Sequence, residues 1–127
     1  MYRAGTEIRP HSHTGVDVTD APLDVRIGSI DGQQQHGSSV FPLIVACETP
    51  GATLEQAVRW VREHAPQMVQ EAAVHGAVLF RGFPLANAHD FDAFVHAFEL
   101  PSFTYEESLS NAVRVNHTPR VFSANEA

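Results

Sequence analysis

Histidine is the residue of this sequence best suited to binding a metal, and it occurs eight times in 127 residues. His11 and His13 form the closest pair, and Asp17 and Asp20 follow near enough to suggest a four-ligand zinc site. All four lie in a polar stretch with no predicted helix or strand to fix the geometry of the ligands. We therefore do not predict a zinc site there.

The other histidines do not form a ligand set either. His89 and His96 share one face of a predicted helix, but two helical turns separate them by about 10 Å, which is too far to chelate one ion directly. His64 and His75 lie near predicted helix ends, where an imidazole commonly caps the helix or contacts water. His117 lies in a predicted turn and has no carboxylate at ligand spacing. No residue of this sequence is assigned as a metal ligand.

Acidic and thiol groups have structural explanations. Asp90 and Asp92 lie in the first turn of a predicted helix, which favours an interaction with the helix dipole over general acid–base catalysis. Glu106 and Glu107 are more typical of a solvated pair than of a catalytic dyad. Cys47 is alone and is predicted to be a small buried hydrophobe. The serine-hydrolase, phosphate-loop and dinucleotide-binding motifs are absent, so these enzyme classes have no support.

The amino-acid composition narrows the classes of function that remain. The apolar share of 43% is ordinary for a globular protein, and the length suits one compact domain. A net charge of −7 and a scatter of arginines without a basic strip argue against a nucleic-acid or membrane-surface partner. The sequence has no signal peptide and no run near the roughly 20 apolar residues that span a bilayer. We therefore expect a cytoplasmic protein.

The helices that would carry a site begin at recognisable caps. Thr53 and Gln56 have the spacing of a capping box, so a helix is predicted to start there. Pro66 should end or kink this helix and open a second one, which Gly76 should terminate in a left-handed conformation. Asn87 is a plausible N-cap for a third helix. Apolar stripes are predicted for the first and third helices, at Leu54, Val58 and Val61 and at Phe91, Phe94 and Phe98.

The strand predictions start in a polar region. Residues 1–39 are expected to be largely irregular, with residues 32–39 a loop or disordered and one short strand over 23–27. Residues 40–47 read as a strand, which Pro42 should push to a sheet edge because proline cannot donate to a ladder.

Three further strands are predicted in the second half of the chain. A buried strand should follow Gly76 over residues 77–80. Two short strands, around residues 113–115 and 121–125, should flank Thr118 and Pro119. The succession of helices and strands predicts an α+β fold rather than a doubly wound parallel sheet, because only one clear strand–helix–strand alternation is present.

At residues 75–83, His-Gly-Ala-Val-Leu-Phe-Arg-Gly-Phe, the chain resembles the taurine/2-oxoglutarate dioxygenase superfamily. In that family two helices end at a glycine, and the next strand ends in Phe-Arg-Gly-Phe or a close variant. Residues 90–94 resemble the helix that follows, and residues 105–126 are most similar to the syringomycin-biosynthesis hydroxylase branch. The resemblance covers roughly residues 40–127.

The resemblance implies a fold and an activity. The fold would be a double-stranded β-helix, or jelly roll, with residues 1–39 a polar N-terminal segment and residues 40–127 an incomplete oxygenase-like domain. The activity would be hydroxylation or another oxidation of a small molecule such as an amino acid, with Fe(II) and 2-oxoglutarate as cofactors and a role in secondary metabolism. The family's His-x-Asp/Glu iron ligands do not occur in residues 1–127 and are expected shortly after Ala127. The chain is thus expected to be the N-terminal portion of the enzyme.

The resemblance also suggests substrate-binding residues. Ser123 and Asn125 lie in the segment that leads into the first iron ligand, so they could hydrogen-bond to substrate or cosubstrate; capping of a strand end is the alternative. Tyr105 and Arg114 are further candidates. We interpret Arg81 as structural, because an arginine at a strand end commonly anchors a carboxylate or a carbonyl.

A second function remains open from the sequence. The chain could be a non-catalytic module that binds a ligand or a partner, since the iron ligands are missing from it. As a fragment of a jelly roll, the chain would leave sheet edges and apolar surface uncovered. We therefore expect the chain to self-associate or to need a second chain or a C-terminal segment that completes the fold.

We expect the 127-residue chain alone not to turn over 2-oxoglutarate with Fe(II), because no three-ligand iron site can be assembled from its residues. Addition of the C-terminal segment should restore metal binding. Succinate measured after incubation of the purified chain tests this expectation, and stoichiometric succinate would contradict it.

Overall fold

A computed structural model describes residues 21–101 and 115–124, together with the backbone of residues 7–8. The chain divides into two compact units, Met1–Pro84 and Leu85–Ala127, which are described separately below. Helices and small sheets are both present, so the predicted α+β class is confirmed. The jelly roll remains a prediction.

The first unit contains a four-stranded mixed sheet with the order β1-β2-β5-β6. β1 (Glu7–Ile8) is antiparallel to β2 (Val25–Gly28), which is antiparallel to β5 (Leu43–Cys47). β5 then pairs in parallel with β6 (Val78–Arg81). In the register, Val25 lies opposite Cys47 and Leu43 lies opposite Val78. The predicted strands over 23–27 and 77–80 are thus confirmed within two residues at each end.

β5 forms the centre of the core. Its side chains at Leu43, Ile44, Val45 and Cys47 are all buried. The predicted edge position is wrong, because β5 is hydrogen-bonded to a neighbour on both sides. Pro42 lies just before the strand, so its missing N–H removes no bond from the ladder.

α1 (Leu54–His75) covers 22 residues and begins at the predicted capping box. The Thr53 hydroxyl accepts a hydrogen bond of 3.2 Å from the backbone amide of Gln56. The side-chain oxygen of Gln56 accepts a hydrogen bond of 2.8 Å from the backbone amide of Thr53. Gln56 is itself buried, and its amide nitrogen donates to the Ala21 carbonyl at 2.9 Å. The cap therefore also ties the start of the helix to the segment before β2. The other buried residues of α1 are Ala57, Trp60, Val61, Ala65 and Met68.

The predicted end of the helix at Pro66, with a second helix opening there, is wrong, because α1 continues through Pro66 to His75. The alternative of a kink stays a prediction. A proline inside a helix costs one backbone hydrogen bond, here the one to the carbonyl of residue 62. Arg62 is exposed, so water can solvate that carbonyl. Ala65 and Met68 are buried on either side of the proline, which favours one continuous helix over two.

Gly76 ends α1 as predicted. Its φ is 90°, and its amide donates to the Ala72 carbonyl at 2.8 Å. A Cβ at this position would lie 3.0 Å from the Phe41 ring, so both the backbone conformation and the space favour glycine. Nδ1 of His75 donates to the Val40 carbonyl at 2.7 Å, and this bond links the end of α1 to the preceding hairpin.

A short hairpin occupies the region predicted to be loop or disordered at residues 32–39. β3 (Gln34–His36) pairs antiparallel with β4 (Ser39–Phe41), and Gly37 takes a positive φ of 62° in the turn. The Gln33 side chain donates to the Pro42 carbonyl at 2.6 Å. Backbone pairing needs no apolar side chains on β3, so composition alone did not indicate this hairpin. The division of the chain at residue 39 stays a prediction.

The second unit contains α2 (Ala88–His96), which begins at the predicted N-cap. The Asn87 side chain accepts the Asp90 amide at 2.9 Å. The predicted face of three phenylalanines is only partly correct, because Phe94 is buried whereas Phe91 is 47% exposed. The helix ends before Phe98, whose ring nevertheless contacts that of Phe94, with centroids 5.8 Å apart. The described part of this unit leaves Phe91 without cover.

The two predicted strands around residues 113–115 and 121–125 are only partly described, and their described residues, 115 and 121–124, are not assigned to a strand. Asn116 and Phe122 make an isolated antiparallel bridge instead, with Thr118 and Pro119 in the turn between them. Residues 111–114 and 125–127 lie outside the described part of the chain. Among the helices that the structure describes, none combines the length and the apolar character needed to cross a bilayer.

β6 ends at a glycine that approaches β5 closely. Gly82 has a φ of 76°, and a Cβ built on it would lie 2.5 Å from the Cys47 carbonyl oxygen. Real Cβ atoms do not come this near to a backbone oxygen. The glycine of the Phe-Arg-Gly-Phe motif is therefore required by the packing of two strand ends.

We expect Gly82→Ala to destabilise the protein by about 3 kcal/mol or more, through the positive φ and through the overlap with the Cys47 carbonyl. Gly51→Ala is the matched control, because Gly51 has a φ of 66° but no atom within 4 Å of the added carbon. This control should cost about 1 kcal/mol. Urea denaturation followed by circular dichroism measures both values. Equal losses would contradict the packing argument.

Candidate functional site

The family-like motif at residues 79–83 lies against an aromatic cluster. Phe80 and Phe83 flank the Gly82 turn, and their ring centroids are 5.7 Å apart in an edge-to-face arrangement. The Trp60 ring of α1 lies 6.3 Å from Phe80 and 5.6 Å from Phe83. These distances are typical of favourable aromatic pairs. The motif therefore anchors the end of β6 on α1, which is a structural role.

Trp60 also contacts a histidine. The His64 ring stacks on Trp60 with centroids 4.4 Å apart and an angle of 14°, and its Nδ1 lies 2.8 Å from the Trp60 carbonyl. The predicted position of His64 near a helix end is wrong, because α1 continues past Pro66. The Trp60 Nε1 is buried and has no hydrogen-bond partner among the described residues. The cluster is thus predominantly apolar.

The side chains of Arg81 and Cys47, at the ends of β6 and β5, show no catalytic arrangement. Arg81 is exposed at the end of β6, and its predicted anchoring role stays a prediction. Cys47 is buried, as predicted. Burial raises the pKa of its thiol, against smaller lowering effects of hydrogen bonds from Thr49. The thiol therefore stays protonated at neutral pH and is a poor nucleophile.

Residues 115–124 form an ordered loop, which we call the Ser123 loop. At its base the Val115 amide donates to the Ser123 hydroxyl at 2.9 Å, and the Ser123 amide donates to the Val115 carbonyl at 2.8 Å. At its tip the amides of His117 and Thr118 donate to the Val121 carbonyl at 2.8 and 2.9 Å. The loop therefore has hydrogen bonds at both ends.

A carboxylate of α2 holds the tip of the Ser123 loop. Asp92 accepts two parallel bonds of 2.9 Å from Nε and Nη2 of Arg120, and a third of 3.0 Å from the Thr118 hydroxyl. The side chain of Asp92 is only 16% exposed and that of Arg120 31%. The Arg120 hydrogen bonds, followed by that of Thr118, hold the pKa of Asp92 below its usual range despite some burial. Asp92 is therefore ionised at neutral pH.

The predicted substrate-binding residues are only partly described. Ser123 lies at the base of its loop, and its hydroxyl accepts a backbone amide, an arrangement that suits the strand-end capping alternative. Asn125, Tyr105 and Arg114 lie outside the described residues. A substrate role for these four residues stays a prediction.

Sequence reasoning missed the Asp92–Arg120 pair. The predicted place of Asp92 in the first helical turn is wrong, because the first turn of α2 contains Asp90 as its acidic residue. Arg120 lies 28 positions from Asp92, so no local spacing connects the two residues. The available signal in the sequence is an arginine next to a Thr-Pro turn with no acidic residue at helical spacing. This pattern is too common to indicate an ion pair.

No metal centre forms in the part of the chain that the structure describes. In residues 21–101 and 115–124, no group of three or more His, Cys, Asp or Glu is placed to hold an ion. His89 and His96 are exposed on α2, and His75 is bonded to Glu71 at 3.2 Å. The described residues therefore do not fit an iron site, and no reaction step is derived through one.

Comparison with known proteins gives one informative similarity. No family model matches the chain. The chain is 31% identical over 108 residues to a clavaminate synthase-like protein of Arabidopsis thaliana. This alignment covers 77% of the chain but only 31% of the relative, so the chain spans about a third of that protein's length. The similarity supports the oxygenase superfamily that residues 75–83 resemble and does not support the syringomycin branch.

We expect the Asp92–Arg120 pair to contribute stability that depends on pH. Because the folded-state pKa of Asp92 is lowered, the contribution is present above the unfolded value near 4 and is lost as pH falls through the folded value. Asp92→Asn should therefore cost about 1 kcal/mol at pH 7 and progressively less in acid. Urea denaturation at several pH values measures this difference.

Asp31→Asn is the control for this experiment, because it makes the same carboxylate-to-amide change at an exposed position. It should have little effect at any pH. A cost of Asp92→Asn that stays constant from pH 7 to pH 3 would contradict the ion-pair explanation.

Proposed function

We propose that this chain forms part of a non-haem Fe(II)- and 2-oxoglutarate-dependent dioxygenase that hydroxylates a small molecule, such as an amino acid. The observation that carries the proposal is the 31% identity over 108 residues to a clavaminate synthase-like protein. Proteins of that type generally depend on Fe(II) and 2-oxoglutarate. The syringomycin branch, secondary metabolism and a cytoplasmic location rest on the sequence alone and stay predictions.

The structure supports the proposal through the element that carries the resemblance. Residues 79–83 form the end of β6 and the turn after it, and α1 leads into them through Gly76. The helix, glycine and strand follow one another as expected for the family, although one continuous helix stands where two were expected. The motif residues Phe80, Gly82 and Phe83 each make a specific packing contact. A shared fold requires a motif whose residues are held by packing. The similarity at this motif therefore supports a shared fold more directly than a shared reaction.

The described residues would contribute scaffold rather than the metal centre. Iron and 2-oxoglutarate would be bound by residues outside the described ranges, in a segment or a second chain that completes a jelly roll. The Ser123 loop is the part of this chain that would approach the substrate. This assignment rests on the resemblance of the segment to the one that leads into the first iron ligand.

The alternative is a non-catalytic module that binds a partner or a ligand. It is favoured by one observation, that no three-ligand group is formed in the described part of the chain. The two functions differ in the size of the native protein and in turnover.

The native protein, purified from its source with an antibody raised against this chain, tests the proposal. We expect a species of more than twice 13.9 kDa that forms succinate from 2-oxoglutarate only when Fe(II) is present. A native species of 13.9 kDa without turnover would support the binding module and overturn the oxygenase. Denatured mass spectrometry gives the chain length, and native mass spectrometry separates a longer chain from a complex.

A further inference from the structure

His75 is the last residue of α1, and both nitrogens of its imidazole contact an oxygen atom. Nδ1 lies 2.7 Å from the Val40 carbonyl oxygen of β4. Nε2 lies 3.2 Å from Oε2 of Glu71, one turn earlier in the helix. The side chains of His75 and Glu71 are 14% and 13% exposed, so water has little access to replace either contact. We call these three groups the His75 clasp.

The His75 clasp needs one proton more than a neutral imidazole and a carboxylate carry. The Val40 carbonyl can only accept a hydrogen bond, so Nδ1 must hold a hydrogen. An ionised Glu71 carboxylate also only accepts, so the second contact needs a hydrogen on Nε2 or on the Glu71 carboxyl. A neutral imidazole has a single N–H, and neither of its tautomers satisfies both contacts beside an ionised carboxylate. Loss of the extra proton therefore breaks one of the two contacts.

The His75 clasp joins α1 to the hairpin of β3 and β4. All three residues of β3 are exposed, and no residue of β4 is fully buried, so the hairpin has little apolar contact to hold it in place. The Phe41 ring lies beside Gly76, next to the clasp, but is itself 38% exposed. The hydrogen bond between His75 and Val40 is therefore an important part of the attachment of this hairpin.

The elements packed against α1 bring no other ionisable side chain to the clasp within the part of the chain that the structure describes. α1 packs against β4, β5 and β6. β4 has no ionisable residue, and the last three turns of α1 contain only Glu71 and His75. β5 and β6 end in Cys47 and Arg81, which lie at the end of each strand away from His75. The extra proton is therefore held by His75 and Glu71 alone.

We propose that the His75 clasp is a pH-sensitive switch, in which protonation fastens the hairpin of β3 and β4 to the end of α1 and loss of the proton to water releases it. The direction follows from the count of hydrogens, because both contacts are made on the acid side and one is lost as pH rises. Imidazole groups commonly change charge between about pH 5 and 8. The switch does not depend on the proposed oxygenase activity.

Hydrogen exchange of the 127-residue chain between about pH 5.5 and pH 8.5 tests this switch. After correction for the intrinsic exchange rate at each pH, the protection of the amides of residues 34–41 should fall roughly tenfold across this range, because a hydrogen bond to a charged group is lost. The amides of β5 should keep their protection, which reports that the core stays folded. Protection of residues 34–41 that does not vary with pH overturns the proposal.

Two substitutions within the clasp should abolish the pH dependence. Glu71→Gln supplies an amide that can donate to Nε2 of a neutral imidazole, so the hairpin should stay protected at the alkaline end of the range. His75→Asn keeps an N–H donor near the position of Nδ1 but does not titrate, so protection in this variant should be the same at every pH. A tenfold fall that persists in either variant counts against the switch.

Two further substitutions are the controls. Glu63→Gln makes the same carboxylate-to-amide change at an exposed position of α1, and it should leave the tenfold fall intact. His36→Gln removes the exposed imidazole of the hairpin itself, whose Nε2 is bonded to the Gln34 side chain, and should also leave the fall intact. Loss of the pH dependence in His36→Gln, with its retention in Glu71→Gln, would assign the effect to His36 and overturn the proposal.

Discussion

The parallel pairing of β5 with β6 is the constraint on which the first unit depends. Two parallel neighbours cannot be joined by a tight turn, so the chain must leave one end of β5 and return to the other. α1 makes this connection with 22 residues, a length of about 33 Å at 1.5 Å per residue. The same helix buries its apolar face beside the most hydrophobic strand. Connection and core are therefore provided by one element.

The end of β6 shows how that constraint acts on single residues. β6 must lie close enough to β5 for its last turn to touch the Cys47 carbonyl, and only glycine leaves room at position 82. Phe80 and Phe83, on either side, then reach Trp60 of α1. The motif that resembles an oxygenase family is thus explained by packing. Similarity at these positions indicates a shared architecture more directly than a shared reaction.

Interactions between residues close together in the sequence could be predicted, whereas those between distant residues could not. The caps at Thr53, Gly76 and Asn87 each involve groups within four residues of one another, so the sequence indicates them directly. The predictions from Pro42 and Pro66 were wrong because the effect of a proline depends on the residues that pack around it. Pro42 lies outside the hydrogen-bonded ladder. The lost hydrogen bond at Pro66 is outweighed by the burial of residues on both sides of it. Of the proposed substrate-binding residues only Ser123 is placed, and its position depends on partners beyond its own segment.

The aromatic cluster and the Ser123 loop differ in the chemistry that each can support. The cluster is built from rings whose contacts are satisfied by one another, and its histidine is stacked and bonded to a backbone carbonyl. The loop is instead built from hydrogen bonds among its own hydroxyl, amide and carbonyl groups, and a partly exposed ion pair holds it. Such a pair gains little net stability, because desolvation and side-chain ordering offset most of its attraction. Bidentate geometry still restricts orientation strongly. The contribution of Asp92 therefore lies more in the shape of the loop than in the stability of the fold.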